Sequence, residues 1–316
     1  MGERTSRYVG TAGYSREPTE LHFFTLVLNG MPFLRHHIDI FSRLECPWKW
    51  HIVEGVADLK HDTAWSAELG GRVTDLLHRD GLSNDGSTEY IDELRRLYPE
   101  NVRVYRKPGG QFWDGKLEMC NAVLQGVDRE CLLWQIDVDE FWRPEQLMAV
   151  LGMFQRRPEK TAAWFYCRYF VGPRLTTTSR GTYGNNPRFE WLRVWRYAPG
   201  MFWQAHEPPT LVFRTRLGPC DVGRLNPFTH AETEAAGLTF DHLAYVLPKQ
   251  LAFKDVYYGY RGALTAWERL QDAKTFPLLL RDHFRWVRDR TTVEPLEDGD
   301  RSDALIGSII GSEAGR

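Results

Sequence analysis

The stretch LLWQIDVDE, residues 132–140, decides how the rest of this chain is interpreted. It begins as an apolar, strand-like run and ends in two carboxylates, Asp137 and Asp139, that one residue separates. Alternation along an extended chain points both the same way, and like charges side by side are costly unless a cation offsets them. A divalent ion held by one or two carboxylates and by phosphate oxygens does so. The competing interpretation is an exposed acidic turn before a helix.

Residues before this stretch alternate between strand and helix patterns. The run HFFTLVL (22–28) is typical of a buried strand, residues 32–44 have helical apolar spacing, and residues 48–53 form a second apolar run. Such a β-α-β opening predicts a parallel sheet with a right-handed crossover. Further along, we predict helices over 87–97 and 114–127 and strands over 101–105 and 131–136. The carboxylates then lie at the carboxyl end of the fourth strand, the edge of an open α/β sheet where ligands bind.

The predicted fold is therefore α/β, with a mostly parallel, Rossmann-like central sheet flanked by helices. The second half changes character, because residues 162–170, 189–197 and 211–216 have mixed strand patterns before helical periodicity returns at Lys249. We expect a flexible N-terminus (1–20), an α/β domain (21–245), a C-terminal helical extension (246–298) and a flexible tail (299–316). Within the α/β domain, we expect two halves, residues 21–142 and residues 143–245.

Composition excludes several classes of protein. The 316 residues carry 40 basic and 42 acidic side chains, a formal net charge of −2, which disfavours a nucleic-acid binder. No apolar run approaches the roughly 18 residues that a membrane span needs, and the N-terminus lacks the apolar core of a signal peptide. Five scattered cysteines without a C-x-x-C pair predict reduced thiols in a cytoplasmic protein.

The order of these motifs resembles that of the GT-A nucleotide-diphospho-sugar transferases, most of all glycosyltransferase family 2. The matching segments are LVLN (26–29), IVE (52–54), WDGKLEMCN (113–121) and DVD (137–139). The resemblance covers residues 21–142. It implies that residues 21–245 form a catalytic domain with a nucleotide-binding half (21–142) and an acceptor half (143–245). Each motif is loose by itself, and their order and spacing carry the similarity.

The resemblance implies roles for five residues. Glu54 would contact the base or ribose, Asp137 would lie near the ribose and the metal, and Asp139 would bind the metal. Lys116 would lie near the donor phosphates. Asp85, in SNDGST (83–88), would contact the nucleoside, although this element falls later than is usual, after a long loop (55–86). Glu54 also departs from the Asp that is frequent in the family. The plainer interpretations are a turn at Glu54, a turn at Asp85 and a solvated helix residue at Lys116.

The second half supplies candidates for the base and for a further metal ligand. An inverting transferase needs a group that takes the acceptor's proton, and in WQAHEPP (203–209) we choose Glu207 first and His206 second. By resemblance, His242 would complete the metal site, and its imidazole favours manganese over magnesium. Lys249 begins a basic and aromatic stretch that would close over the diphosphate. The alternative is that this stretch is a solvated helix face.

These features predict a metal-dependent glycosyltransferase that uses Mn²⁺ or Mg²⁺. It would move a sugar from a nucleoside diphosphate sugar, with a uridine donor as the default, to a hydroxyl or amine of a small molecule or glycan. One alternative is a sugar-nucleotide nucleotidyltransferase, although LNGMP (28–32) lacks the glycine-rich phosphate loop of such enzymes. The other is a non-catalytic glycan-binding protein, which the 12 tryptophans favour.

Overall fold

A computed structural model describes residues 20–61, 63–178 and 191–314. Almost all of the expected flexible N-terminus lies outside the described residues. The strands are β1 (Leu21–Val27), β2 (Trp48–Glu54), β3 (Val102–Tyr105), β4 (Cys131–Gln135), β5 (Glu140–Phe141), β6 (Ala162–Trp164), β7 (Cys167–Gly172), β8 (Leu175–Thr177), β9 (Leu192–Tyr197), β10 (Phe202–Ala205), β11 (Thr210–Thr215), β12 (Gly218–Asp221), β13 (Phe240–His242), β14 (Leu278–Leu279) and β15 (Thr292–Pro295). The α-helices are α1 (Leu34–Phe41), α2 (Ala64–Glu68), α3 (Ser87–Leu97), α4 (Gly115–Leu124), α5 (Pro144–Arg156), α6 (Val222–Leu225), α7 (His230–Ala235), α8 (Pro248–Tyr257), α9 (Ala263–Gln271) and α10 (Asp303–Ala314).

The central sheet has six strands in the order β3-β2-β1-β4-β9-β6. The first four strands in this order run parallel, and β9 and β6 add antiparallel pairings at the β4 side. The prediction of an α/β fold with a mostly parallel sheet is therefore confirmed. Its strands are nearly continuous apolar runs because helices cover both faces.

Two apolar layers hold the helices against this sheet. On one face α1 buries Leu34, Ile38 and Phe41, and the Phe41 ring stacks on Phe23 of β1 at 4.2 Å between centroids. On the other face α4 contributes buried residues, Met119 among them, to a second cluster. Because α4 starts beside the carboxyl ends of the parallel strands, its first turn faces the predicted ligand edge.

A second six-stranded sheet has the order β14-β15-β8-β7-β13-β5. It lies beside that edge, because its strand β5 directly follows Asp139 in the chain. It divides the strand that we predicted over 162–170, because β6 joins the central sheet whereas β7 joins the second sheet. The predicted strand over 189–197 is described only as β9, since residues 189–190 lie outside the described residues. A three-stranded sheet, β10-β11-β12, carries the loop that contains Glu207.

The C-terminal region differs from its expected description. Residues 246–298 contain α8 and α9 but also β14 and β15, and β15 pairs antiparallel with β8. The expected flexible tail instead contains α10, whose Ile306 and Ile309 are buried. These contacts pack the C-terminal region against the rest of the chain, and the expected boundary near residue 245 stays a prediction.

Among the residues that the structure describes, no helix combines the length and apolar character that crossing a membrane requires.

Candidate active site

The acidic pair lies where β4 ends at the edge of the central sheet. Strand β4 is fully buried between β1 and β9. A turn follows the strand, and in this turn the Glu140 amide donates to the Asp137 carbonyl at 3.0 Å. Asp137 and Asp139 are half-buried at this edge, and Glu140 is completely buried. The position at the carboxyl end of a buried strand is the one that the sequence predicts.

Arg193 of β9 neutralises two of these carboxylates. Its Nε donates to both Glu140 oxygens at 3.1 and 3.0 Å, and its Nη2 donates to Asp137 Oδ2 at 3.2 Å. The other Asp137 oxygen accepts from Gln135 Nε2 at 3.3 Å. Burial raises the pKa of Glu140 to about 7 in spite of this guanidinium. Asp137 is therefore already held by protein donors.

Asp139 faces His242 across the edge of the second sheet. Strand β13 pairs antiparallel with β5 and places His242 opposite Glu140, and His242 Nε2 lies 3.3 Å from Asp139 Oδ1. The second oxygen of Asp139 accepts from Gln250 Nε2 at 3.3 Å. Burial alone would raise the pKa of Asp139, but the adjacent imidazole outweighs it and holds that pKa well below its usual range. The structure thus brings together Asp139 and His242, which lie about a hundred residues apart in sequence.

Trp191 supports both the arginine and the imidazole. The guanidinium of Arg193 lies 4.7 Å from the Trp191 ring centroid. The ring of His242 meets Trp191 edge to face, at 4.9 Å and 85°. Trp191 has a left-handed backbone, with φ of 61°, a conformation that bulky residues adopt at a cost. The contacts with Arg193 and His242 therefore hold this backbone in place beside the site.

Lys116 brings a cation to the same place from the first turn of α4. Its Nζ donates to Tyr258 Oη at 3.2 Å. Burial would lower the pKa of Lys116, but Tyr258, Tyr257 and Glu207 outweigh burial and raise it. Lys116 also lies close enough to Asp137 to lower the pKa of that carboxyl. It remains charged at neutral pH, so the site holds a permanent cation beside the acidic pair.

The loop after β10 places both base candidates near Lys116. Glu207 is exposed, and His206 is half-buried. Burial, followed by the charge of Lys116, lowers the pKa of His206 to about 3. A base whose conjugate acid is that strong removes protons poorly, so of the two candidates Glu207 suits proton removal better.

Glu54 is engaged inside the protein. It is completely buried, and its Oε2 accepts from Arg106 Nε at 2.7 Å. The other oxygen accepts from the Ser83 amide at 3.2 Å and from the Thr88 hydroxyl. In this arrangement the carboxylate fastens the long loop to the end of β2, and it offers no exposed oxygen to a nucleoside.

Asp85 likewise organises the chain at the end of β1. Its Oδ2 accepts from the Met31 amide at 2.9 Å, and its Oδ1 accepts from the Ser87 amide at 3.0 Å. These bonds tie the start of α3 to the turn after β1. Asp85 thus lies at the ligand edge of the sheet, with both of its oxygens in local structural bonds.

Lys249 contacts the C-terminal helix. Its ammonium pairs with Glu313 of α10. The neighbouring Gln250 reaches Asp139 instead, and Lys254, one turn further along α8, lowers the pKa of Asp139 by its charge. The stretch that we predicted to close over the diphosphate therefore contacts the site through Gln250, Lys254 and Tyr258.

Sequence reasoning did not assign roles to Arg193 and Gln250. For Arg193 a signal existed, because LRVWRY (192–197) is a buried strand and an arginine there requires an anionic partner. Gln250 carries no comparable signal. Its side chain caps the start of α8, where it accepts from the amides of Val246 and Leu247 at 2.9 and 3.0 Å.

Comparisons with known proteins give distant structural likenesses. No protein-family model matches the chain, and no curated protein matches it. The chain is similar to a crystal structure of TarS from S. aureus, with 10% identity and a TM-score of 0.37, over 56% of this chain and 47% of that chain. It is also similar to the mannosyltransferase PcManGT from Pyrobaculum calidifontis in complex with GDP-Man and Mn²⁺. That match has 14% identity and a TM-score of 0.35, over 52% of this chain and 41% of that chain. The matched part spans less than half of either solved chain. The α/β fold is assigned from the strand order of this chain itself.

Proposed function

We propose that the chain is a glycosyltransferase that transfers a sugar from a nucleoside diphosphate sugar to a hydroxyl or amine of an acceptor. The donor expected first is a uridine diphosphate sugar, the expected route is direct displacement with inversion, and the divalent ion is Mn²⁺ or Mg²⁺. The observation that carries the proposal is the convergence of Lys116, Asp137, Asp139, Glu207 and His242 at the carboxyl edge of one mostly parallel sheet. These residues come from four separate segments, and their charges act on one another.

A divalent ion fits the Asp139–His242 pair. Adjacent ligands of an octahedral ion bound at about 2.1 Å lie about 3 Å apart, and Asp139 Oδ1 and His242 Nε2 are 3.3 Å apart. Across residues 20–61, 63–178 and 191–314, no three His, Cys, Asp or Glu side chains form a ready-made metal site, and Asp137 is occupied by Arg193 and Gln135. The expected ligand set of three residues thus becomes a pair, with Asp137 outside it. Such a pair suits an ion that diphosphate oxygens and water complete.

The protein's own groups have distinct roles in this proposal. A divalent ion at the pair would supply positive charge against the departing diphosphate. Lys116 adds a second, permanent positive charge from α4. Glu207 is exposed near that cation and accepts the acceptor's proton as the new glycosidic bond forms. His206 stays neutral beside it. Arg193 holds Asp137, which leaves Asp139 as the carboxylate that would hold the ion.

The proposal is tested by nucleotide binding with and without metal. In a thermal-shift panel of UDP, GDP, TDP and ADP, one nucleotide should raise the melting temperature with Mn²⁺ and raise it much less with a chelator, because ligand binding stabilises the folded state by mass action. The variants Asp139→Asn and His242→Gln should abolish the metal-dependent part of the shift. Asp75→Asn, at an exposed carboxylate, should leave it intact. Nucleotide binding that Asp139→Asn leaves unaltered would refute the assignment of the site.

A second assay separates glycosyl transfer from sugar-nucleotide synthesis. The enzyme is incubated with a nucleoside triphosphate and a sugar 1-phosphate, and release of pyrophosphate is measured. We expect none, because the turn after β1 contains no glycine-rich phosphate loop. Pyrophosphate release that depends on Asp139 would replace the proposed function with nucleotidyl transfer.

A further inference from the structure

A row of half-buried aromatic rings leads away from Lys116. Tyr258, which accepts from Lys116, stacks on Trp65 of α2 with centroids 5.7 Å apart and an angle of 3°. Tyr260 lies 5.9 Å from Tyr258 and stacks on Trp286 at 4.5 Å and 6°. We call Trp65, Tyr258, Tyr260 and Trp286 the aromatic row. All four are partly exposed, so the row connects the candidate active site to the protein surface.

The far end of the aromatic row lies in a segment rich in arginine. Residues 281–290, RDHFRWVRDR, contain four arginines and two aspartates, and we call them the arginine segment. All four guanidinium groups are exposed, and within the described residues none of them forms a hydrogen bond or an ion pair. The segment therefore carries a local positive charge in a chain whose formal net charge is −2. The arginines are Arg281, Arg285, Arg288 and Arg290.

The aromatic row suits a sugar ring, and the arginine segment suits an anionic group. Aromatic side chains present apolar surface beside a polar edge, which suits the C–H side of a pyranose ring. Guanidinium groups bind carboxylates and phosphates through paired donors. An aromatic row alone would suit a neutral glycan, and arginines alone would suit any polyanion. Trp286 lies within the arginine segment, so the two features share one surface.

We propose that the aromatic row and the arginine segment bind an acidic saccharide, whose uronate or other anionic groups contact the arginines while its sugar rings lie along the aromatic residues. This inference rests on the proposed function where it makes that saccharide the acceptor: its end would reach Glu207 and Lys116. A membrane surface rich in anionic lipid is the main competing ligand, and the connection of the row to the site favours the saccharide.

The experiment measures saccharide binding without any nucleotide. Oligogalacturonate is titrated into the full chain by calorimetry, beside neutral dextran oligosaccharides and an oligoglutamate of equal charge. We expect oligogalacturonate to bind more tightly than either comparator. The fourfold variant R281Q/R285Q/R288Q/R290Q should lower that affinity by about tenfold or more at low salt, because local positive charge concentrates an anionic ligand. Trp65→Ala should lower it by about fivefold without changing oligoglutamate binding.

A charge-matched variant controls for the loss of four positive charges. Arg43, Arg96, Arg156 and Arg216 are also exposed, lie outside the arginine segment, and are changed together to Gln. This variant should bind oligogalacturonate like the unaltered protein. The proposal is overturned if both fourfold variants lose affinity equally, or if oligoglutamate binds as well as oligogalacturonate. It is also overturned if only sedimentation with phosphatidylserine vesicles responds to the arginine segment.

The two proposals can fail separately. The thermal shift with nucleoside diphosphate and Mn²⁺ reports on the transferase site alone. Saccharide binding without a nucleotide response would support a carbohydrate-binding surface and contradict the transferase proposal. A nucleotide response without saccharide binding would contradict only the proposal of an acidic saccharide.

Discussion

Individual charged residues determine the character of the site. Glu140 is 0% exposed, and its carboxylate faces Arg193, which also reaches Asp137. Such a buried pair is costly to break because the remaining charge loses its partner without regaining water. The same cation lowers the pKa of Asp137 against the effect of burial. One arginine thus supports both the fold and the acidic edge of the sheet.

Replacing Arg193 tests this dependence. We expect Arg193→Met to lower the free energy of unfolding by about 3–5 kcal/mol, because the buried Glu140 and the half-buried Asp137 lose their shared cation. Urea denaturation measures the loss. The double variant Arg193→Met/Glu140→Gln should recover part of it, since one of the stranded charges is gone. Equal stabilities of the single and double variants would contradict the pairing.

Replacing Glu207 tests its role as the base. Glu207→Gln should lower turnover by about 10²–10⁴-fold, the usual contribution of general base catalysis. The measurement is release of nucleoside diphosphate from the donor in the presence of acceptor. Nucleotide affinity and melting temperature should stay unchanged, because Glu207 is exposed. His206→Gln, which alters the neighbouring weak base, is the comparison, and a larger loss there would reverse the assignment.

At the scale of elements, strands β1, β2 and β3 share a buried chain of hydrogen bonds. His22 Nδ1 and His51 Nε2 are 3.0 Å apart, and His51 Nδ1 is 2.8 Å from Tyr105 Oη. Burial, followed by the charge of His22, lowers the pKa of His51 to about 3. The network joins neighbouring parallel strands, and it favours neutral imidazoles.

This network predicts an acid-sensitive fold. His51 binds a proton near pH 6.5 in the unfolded chain and near pH 3 in the folded chain. The contribution of neutral His51 to the free energy of unfolding is therefore fully present above pH 6.5 and is lost as the pH falls towards 3. The slope contributed by one such histidine is at most about 1.4 kcal/mol per pH unit. Unfolding free energies measured by urea between pH 7 and 4 should show a smaller slope in His51→Gln. His61→Gln, where the side chain is 53% exposed, should keep the original slope.

For the whole molecule, the C-terminal helix closes onto the elements that carry the site. Ile306 and Ile309 of α10 belong to an apolar cluster with Phe141 and Leu243. Phe141 directly follows Glu140 in the chain, and Leu243 directly follows His242. The end of the chain therefore buttresses β5 and β13, the strands beside the Asp139–His242 pair.

Two adjacent isoleucines provide a matched test of this contact. Ile309 is 0% exposed and Ile310 is 38% exposed. Ile309→Ala should lower the free energy of unfolding by about 2–5 kcal/mol through the lost contacts and the cavity. Ile310→Ala should lower it by less than about 1 kcal/mol. Chemical denaturation of both variants gives the comparison, and similar losses would mean that α10 is not packed as described.

The amino-acid sequence by itself determined the central sheet and the position of its acidic edge. Apolar runs such as HFFTLVL, and the helical spacing between them, are local patterns. They arise because a strand that is buried on both faces needs apolar residues along its whole length. For the same reason Asp137 and Asp139 were placed at a strand end, and Lys116 at the start of a helix, from short segments alone.

Only the tertiary structure decided which partner each charged side chain meets. Lys249 reaches Glu313, Glu54 reaches Arg106, and Arg193 reaches Glu140, and these pairs are separated by about 50 residues or more. Likewise, β15 pairs with β8 in the second sheet, in a region that local periodicity predicted as helical. Hydrophobic periodicity is a property of neighbouring residues, whereas the pairing of charges and of edge strands depends on which surfaces meet after the chain has folded.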